Sequence, residues 1–361
     1  MTKTIKLFGL TLFILMGQIA FGQSDQDKAL DKMQQALESE EEGKFDPAIK
    51  LLEEAQKLDP KNITYPYETA YAYYAKDDYA KSSQILKGLL KHKDVDDLVY
   101  QLLGNCYDDM GNTDKAVDIY KKGLKKFPKS GELYLEMGVV QLKTKDFDKA
   151  LGFFEKGIEV DPVFPSNYYW AATLYCNSTE EIWGMMYGEI FMNLESNTKR
   201  TATISKLLYD TYKSQIKFTS DSTMTVSFCK RMTINTGTLS DSSKIQLPFS
   251  MVYEPTLLMS LVSEKKIDMA SLDRIRTHFV ENFYKMGQDK KYPNILIEYQ
   301  DTILKAGHME AYNHWLLMKG DEDAFDKWKT ANKEKWDTFV TWFSNNKIRI
   351  DNKHKFCSGN Y

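Results

Sequence analysis

A single interval recurs between similar residues through the first half of this chain. Four pairs of similar residues have numbers that differ by 34. The pairs are Gly104 and Gly138, Ala116 and Ala150, Tyr120 and Phe154, and Pro128 and Pro162. Repetition with a period of about 20–50 residues is typical of proteins that stack one structural unit several times. A single unit cannot bury its apolar face alone, so the period predicts an array of stacked units.

The repeats extend in one frame over most of the N-terminal half. Residues 29–196 hold the array, and its members follow one another without a gap. They are 29–62, 63–96, 97–130, 131–164 and a degenerate 165–198. The last member departs from the pattern at Gly184 and Gly188, which places its second helix in doubt. From about Ser196 onward the period disappears.

The residues of the third repeat carry a family resemblance. Gly104 and Ala116 stand where two helices would cross closely, Tyr120 would fill the space beneath the next repeat, and Pro128 would end the second helix. This pattern resembles the tetratricopeptide repeat (TPR). The resemblance implies helical hairpins that stack into a solenoid with a concave face, and it implies a protein or peptide partner held on that face.

The same resemblance implies which side chains line the concave face. In TPR proteins these are mainly positions 2, 5, 9 and 12 of each first helix. The candidate partner-binding residues are Tyr67, Tyr71, Tyr74, Gln101, Asn105, Asp108, Leu135 and Tyr169. The three tyrosines of the second repeat share one helical face, where they would supply amphipathic contact area. An alternative stays open, in which the tyrosine stripe is buried against the C-terminal residues.

Residues 1–22 have the pattern of a signal peptide. Two lysines, Lys3 and Lys6, precede an apolar run over 7–16, and small residues precede a cleavage point before Gln23. We therefore expect an exported protein, periplasmic or extracellular, with an uncleaved anchor as the alternative. No later stretch reaches the roughly 18 consecutive apolar residues of a membrane-spanning helix, so we expect no integral membrane segment after cleavage.

Residues 197–361 are expected to form a mostly helical C-terminal domain. The predicted helices are 198–218, 253–263, 269–286, 291–306, 308–319 and 321–345. Met224, Val226 and Phe228 alternate with polar residues and predict a strand, which 245–247 could pair with as a small β-hairpin. The aromatic residues of 321–345 are interpreted as core. The stretch 306–315 resembles exported Bacteroidota TPR proteins of unassigned function.

The sequence offers little that could perform chemistry. His308 and His314 are six positions apart, about 240° around a helix, so they cannot bind one metal ion together. The four cysteines lack metal-site spacing, and Cys229 with Cys357 is the disulfide pair we would expect if one forms. The run 40–42 of three glutamates is interpreted as a solvated helix face. We expect no cofactor and no metal.

These observations lead to one interpretation and two alternatives. The chain, with 48 basic and 51 acidic residues, has no electrostatic reason to bind nucleic acid. The expected fold is all-α, a TPR solenoid followed by the helical domain. The expected function is a non-enzymatic protein-binding scaffold of the cell envelope or the exterior. The alternatives are a structural subunit of an envelope or secretion assembly, and a hydrolase hidden in the C-terminal domain around His278, His308 or His314.

Overall fold

A computed structural model describes residues 24–220, 223–230 and 247–361. The predicted signal peptide lies outside the described residues, and so do Ile245 and Gln246 of the predicted second strand. By packing, the chain divides into two compact units, one ending at Val95 and the other beginning at Asp96. The all-α fold class is confirmed, with one small two-stranded sheet in the described part.

The first unit contains two helical hairpins. Their helices are α1 (Asp25–Glu41), α2 (Phe45–Leu58), α3 (Thr64–Ala75) and α4 (Tyr79–Leu89). Each helix packs against the next along the chain. Ser24 begins α1 with a capping box, in which its hydroxyl accepts from the backbone N–H of Asp27. Small residues let the helices approach closely, since Ala36 and Ala48 are fully buried beside Leu52.

Three more hairpins open the second unit. Their helices are α5 (Asp97–Asp109), α6 (Thr113–Lys126), α7 (Gly131–Lys143), α8 (Phe147–Val160), α9 (Pro165–Cys176) and α10 (Glu181–Leu194). A Cβ atom on Gly104 would lie 2.0 Å from the ring of Tyr120, and one on Gly138 would lie 2.3 Å from the ring of Phe154. The predicted role of both glycines, close helix crossing, is therefore confirmed.

The doubt about the second helix of the fifth repeat was wrong. Helix α10 is complete, and almost all of its side chains are buried. A Cβ atom on Gly184 would lie 2.5 Å from the backbone nitrogen of Cys176, so this glycine is a site of close contact between α10 and α9. Glycine lowers the helix propensity of α10, but it lets α10 and α9 approach more closely than a residue with a side chain would allow.

The array continues for one helix beyond the predicted end of the period. Helix α11 (Lys199–Gln215) packs on α9 and α10 as α7 packs on α5 and α6. Ile204 and Leu208 are buried on its inner side. The packing of α11 thus follows the repeat arrangement although the sequence period ends near residue 196, because a first helix can keep its place through apolar contacts after the consensus residues are gone.

The small sheet differs from the predicted hairpin. Strands β1 (Ile216–Ser220) and β2 (Thr223–Val226) pair antiparallel, with Ile216 opposite Val226 and Phe218 opposite Met224. The alternation at 224–226 was correctly interpreted as a strand. Its partner is the segment just before it, which was predicted as the end of a helix over 198–218. Strands adjacent in sequence pair at a small loss of chain entropy.

Seven α-helices and one short 3-10 helix follow in the described residues. They are α12 (Ser250–Ser260), α13 (Met269–Lys285), α14 (Gln288–Lys291), α15 (Ile295–Lys305), α16 (Met309–Leu317), α17 (Glu322–Ala331), α18 (Lys333–Asn345) and the 3-10 helix Ser358–Asn360. The helix predicted over 321–345 is interrupted at Asn332, whose side chain donates to the carbonyl of Trp328 at 2.9 Å. This contact ends α17, as asparagine side chains often compete with helical hydrogen bonds.

One hydrophobic core joins the later repeats to the C-terminal helices. It runs from Ala150 on α8 to Phe356 near the C-terminus. Phe339 and Phe343 lie in this core with ring centroids 5.2 Å apart, so their interpretation as core is confirmed. The backbone N–H of Ser358 donates to the hydroxyl of Tyr187 on α10 at 2.9 Å. The packing therefore does not separate residues 131–196 from residues 197–361.

The disulfide expected between Cys229 and Cys357 does not form. Cys229 lies in a β-bridge with Glu180, whereas Cys357 precedes the terminal 3-10 helix. All four cysteines are present as thiols. Burial raises the pKa of the Cys176 thiol to about 12, which disfavours the reactive thiolate.

Candidate functional site

Side chains at positions 2, 5, 9 and 12 of each first helix form what we call the first-helix face. In the second unit this face comprises α5, α7, α9 and α11. Contacts between side chains one repeat apart connect neighbouring helices of the face. Gln101 Nε2 donates to Glu136 Oε1 at 2.7 Å, and Arg200 Nη1 donates to Ser166 Oγ at 2.9 Å. The repeat spacing thus brings side chains of successive repeats into direct contact.

The predicted hydrogen-bonding residues of α5 are engaged within the chain. Asn105 Oδ1 accepts from the hydroxyl of Tyr120 at 2.6 Å, and its Nδ2 lies 3.5 Å from Glu136 Oε1. Asp108 accepts from Thr113 Oγ1 at 2.8 Å and forms an ion pair with Lys143. These partners fix the orientation of the predicted groove residues.

Leu135 and Tyr169 are held against the protein core. Both are partly buried and pack on the core of the second unit. The guanidinium of Arg200 lies 5.4 Å from the ring centroid of Tyr169, within the range of a cation–π contact. Arg200 also pairs with Glu195 through two of its nitrogens. Tyr169 is thus half-buried, and Arg200, which follows the fifth repeat, contacts its ring.

The three tyrosines of the first unit lie on α3. Tyr67, Tyr71 and Tyr74 are each half-buried, and the ring of Tyr74 lies 5.3 Å from that of Tyr79. Burial raises the pKa of Tyr71, and the negative charges of two glutamates, on α1 and α3, raise it further. The binding role of the tyrosines, like that of the other predicted site residues, stays a prediction.

One of those glutamates corrects the interpretation of the acidic run at 40–42. Glu41 and Glu42 are exposed, but the side chain of Glu40 is only 9% exposed. Burial raises the pKa of Glu40 to about 8, with a smaller contribution from the charge of Glu68. Burial also raises the pKa of Glu68 to about 7. Periodicity could have found Glu40, because it occupies position 12 of the first repeat.

An open groove lies where the first-helix face reaches α11. Its volume is about 610 Å³. The lining residues are Thr173, Asn177, Ala202, Thr203, Lys206, Leu207, Asp210, Lys319 and Glu322. We call this the α11 groove. Thr203, Leu207 and Asp210 stand one repeat after Tyr169, Thr173 and Cys176, so α11 supplies the next set of positions 5, 9 and 12.

Comparison with known proteins accounts for this arrangement. The sequence profile of the tetratricopeptide repeat matches residues 39–106 and 109–173. The chain contains tetratricopeptide repeats. The two matched stretches include parts of the first to fifth hairpins. The helix pairs of the structure therefore coincide with the repeats that the 34-residue period predicts.

Two curated proteins are similar over part of the TPR region. BBSome complex member BBS4 of Bos taurus is 30% identical over 120 residues, which are 33% of this chain and 23% of that protein. The Hsp70-Hsp90 organizing protein of Triticum aestivum is 22% identical over 154 residues, 41% of this chain and 26% of that protein. The matched region is thus about a quarter of each relative's length.

Solved structures with TPR folds also align. A thermophilic TPR protein of Thermus thermophilus gives a TM-score of 0.43 at 16% identity, covering 50% of this chain and 98% of its own. The pilF protein of Pseudomonas aeruginosa gives a TM-score of 0.43 at 17% identity, covering 53% of this chain and 85% of its own.

Within the described ranges, no helix combines the length and the apolar character that a membrane-spanning segment needs.

A buried polar network lies between the last TPR hairpin and the C-terminal helices. Glu189 Oε1 on α10 accepts from Arg276 Nη2 and from Gln300 Nε2, both at 2.7 Å, and from the Tyr312 hydroxyl at 2.9 Å. A void of about 20 Å³ adjoins it. Sequence reasoning missed this network, because its members are 87 or more residues from Glu189 and follow no motif.

The histidines proposed as markers of hidden chemistry lie in separate environments. His278 is exposed on α13, and the ring of His308 lies 5.1 Å from that of Trp342. His314 stacks on Trp328 at 4.1 Å, and burial lowers its pKa. None of the three forms a hydrogen bond with a serine or cysteine side chain in the described residues. In the part of the chain that the structure describes, no three histidine, cysteine or acidic side chains are arranged to hold a metal ion.

Proposed function

We propose that this chain is a non-enzymatic protein-binding scaffold, which holds a segment of a partner protein along its first-helix face. Proteins built from tetratricopeptide repeats typically mediate protein–protein interaction. The observation that carries the proposal for this chain is the α11 groove, which is open. Four of its lining residues, Thr173, Thr203, Leu207 and Asp210, stand at repeat positions that bind partners in TPR proteins.

The chemistry of the α11 groove suits a polypeptide. Leu207 and Ala202 give it apolar surface, and two ion pairs stand at its sides, Lys206 with Asp210 and Lys319 with Glu322. Apolar contact with paired charges at the rim is the usual composition of a protein interface.

We further propose that the scaffold works in the cell envelope or outside the cell. The support is the signal-peptide pattern of residues 1–22. N-terminal sequencing of the protein purified from its native cells tests this part. A mature chain that begins at Gln23 supports export, whereas a retained Met1 in a cytosolic fraction contradicts it.

Site-directed photo-crosslinking tests the binding surface. A photoreactive phenylalanine analogue replaces Thr203, which is exposed in the α11 groove, and in a control it replaces Gly152 on α8. Gly152 is also exposed, and a Cβ atom added there meets no atom within 4 Å. We expect a protein adduct from Thr203 in native cells and none from Gly152. Equal adducts from both positions, or none from Thr203, would contradict the proposal.

A further inference from the structure

Two pairs of acidic residues occupy the same repeat positions in the two units. Glu40 and Asp108 are at position 12 of the first and third repeats, and Glu68 and Glu136 are at position 6 of the second and fourth. The members of each pair are therefore two repeats apart. The pairs allow a comparison within one chain of what surrounds each acid.

In the second unit both acids have partners from their own chain. Lys143 pairs with Asp108, which also accepts from Thr113, and Gln101 donates to Glu136 at 2.7 Å. A cation and polar hydrogens thus compensate both carboxylates where they leave bulk water.

In the first unit the corresponding partners are replaced by apolar residues. The residues two repeats before Lys143, Thr113, Gln101 and Asn105 are Ala75, Phe45, Met33 and Leu37. None of these four side chains can donate a hydrogen bond to a carboxylate.

The acids of the first unit consequently lack compensation. Glu40 Oε1 is buried and has no hydrogen-bond partner. Among the described residues, no basic side chain forms an ion pair with Glu40 or Glu68. Lys44 and Lys76, the first lysines that follow these glutamates in the chain, pair with Glu42 and Asp46. A buried carboxylate without a partner is expensive in free energy, and it is also a ready acceptor for a cation from outside.

We propose that Glu40 and Glu68 receive one lysine or arginine side chain of the partner segment, in the place that Lys143 fills for Asp108. The inference rests on the proposed function and adds to it the chemistry of one recognised residue. Tyr71, whose hydroxyl interacts electrostatically with both glutamates, places an aromatic side chain in the same site. Two carboxylates are too few to satisfy a calcium ion, which takes about six to eight oxygen ligands.

The site couples cation binding to proton release. With pKa values of about 8 for Glu40 and about 7 for Glu68, both carboxyls are partly protonated near neutral pH. A bound cation favours their ionised forms, so the two glutamates release protons when it binds. The third titratable group of the site, Tyr71, has a raised pKa and stays neutral in this range. The affinity for a basic side chain should therefore increase between about pH 6 and pH 9.

An arginine probe tests the proposal on the purified protein. N-acetyl-arginine methylamide is titrated against protein labelled with ¹³C at the glutamate carboxyl carbons, and uncharged N-acetyl-citrulline methylamide is the control ligand. We expect the arginine probe to lower the pKa of Glu40 from about 8 and to give saturable shifts of the Glu40 and Glu68 signals. The citrulline probe should give neither effect.

Matched variants identify the carboxyls responsible. Glu40→Gln and Glu68→Gln should each weaken binding of the arginine probe at least tenfold, whereas Glu41→Gln should leave it unchanged, because Glu41 is exposed on the same helix. Equal binding of both probes, unchanged binding by Glu40→Gln, or a response to calcium chloride without one to arginine would overturn the proposal. The wild-type titration decides the matter even if a variant fails to fold.

The two proposals can fail separately. If crosslinking at Thr203 captures a partner but the arginine probe does not bind, only the cation site is lost. If the probe binds and no adduct forms at Thr203, the cation site stands and the α11 groove is not the binding surface.

Discussion

The carboxylate of Glu189 and the guanidinium of Arg276 meet at 2.7 Å, with side chains that are 4% and 5% exposed. Glu189 lies on α10, the second helix of the fifth repeat, and Arg276 lies on α13, so this ion pair joins the repeats to the C-terminal helices. Gln300 and Tyr312 donate to the same carboxylate oxygen. Removal of one member of such a pair leaves the other charge buried without its partner.

We therefore expect Arg276→Met to destabilise the protein by about 3–5 kcal/mol in urea unfolding. The double variant Arg276→Met with Glu189→Gln should recover much of that loss, because no buried charge remains. Arg274→Met is the matched control on the same helix. Arg274 is 52% exposed, although its partner Glu264 is only 7% exposed, so loss of Arg274 should cost clearly less than loss of Arg276, about 1–2 kcal/mol. Equal effects of the two arginine variants would contradict the assignment.

Glu40 should make stability depend on pH. Its pKa in the folded protein, about 8, is above the ordinary value of 4.5, so its contribution to stability is fully present below about pH 4.5 and is lost as pH rises through 8. Glu40→Gln should consequently be more stable than wild type at pH 9, by about 1–3 kcal/mol, since partial hydration reduces the full linkage value.

At pH 4.5 the Glu40→Gln variant and wild type should be nearly equal in stability. Urea unfolding at pH 4.5, 7 and 9 measures the difference at each pH. Glu41→Gln provides the baseline, because its carboxylate is exposed. A constant difference between Glu40→Gln and wild type across these pH values would show that the carboxyl of Glu40 is not buried in solution.

Gly104 and Gly152 should respond oppositely to alanine. A Cβ atom at Gly104 would lie 2.0 Å from the Tyr120 ring, so Gly104→Ala should destabilise by about 1–3 kcal/mol. Gly152 is exposed within α8 with open space around it, so Gly152→Ala should stabilise by about 0.5–1 kcal/mol through helix propensity. Thermal unfolding of both variants measures the contrast, and a neutral Gly104→Ala would mean that the helices can separate without loss.

A charge at position 207, in the lining of the α11 groove, should impair partner binding. Leu207→Asp places a carboxylate among the lining residues, and we expect at least a tenfold loss of affinity for the partner crosslinked through Thr203. Gly152→Asp adds the same charge on α8 and should leave the affinity unchanged. Calorimetry measures both affinities, and circular dichroism checks that helix content is retained. Equal losses would indicate a non-specific charge effect.

The sequence predicted those parts of the fold that depend on local periodicity. The repeat interval identified the helix pairs and the place of Gly104 at a close helix crossing. The ring that meets Gly104 is that of Tyr120 in the same repeat, whereas the sequence pattern had placed Tyr120 beneath the next repeat. Contacts between distant segments have no such signal, which is why the pair Glu189 and Arg276 was missed. The break between α17 and α18 involves one side-chain hydrogen bond of Asn332. The helical spacing of aromatic residues continues on both sides of Asn332, so the sequence predicted a single helix there.

The candidate site was predicted in outline rather than in its contacts. Repeat positions named Gln101, Asn105 and Asp108 but not the partners that orient them. Those partners come partly from the same repeat, Tyr120 and Thr113, and partly from the next, Glu136 and Lys143. The lack of a partner for the buried Glu40 follows from residues that are absent, such as a lysine in place of Ala75. Such a missing partner becomes visible only when corresponding positions of different repeats are compared.

The continuous core from Ala150 to Phe356 has a consequence for how the molecule bears load. An ordinary repeat array can fray from its end, because each unit contacts only its neighbours. Here the terminal hairpin is buried within the C-terminal helices, so the last turns of the array cannot peel away one at a time. A force that a partner applies to α11 would therefore be carried by all the C-terminal helices together. This end of the array should resist stretching rather than extend repeat by repeat.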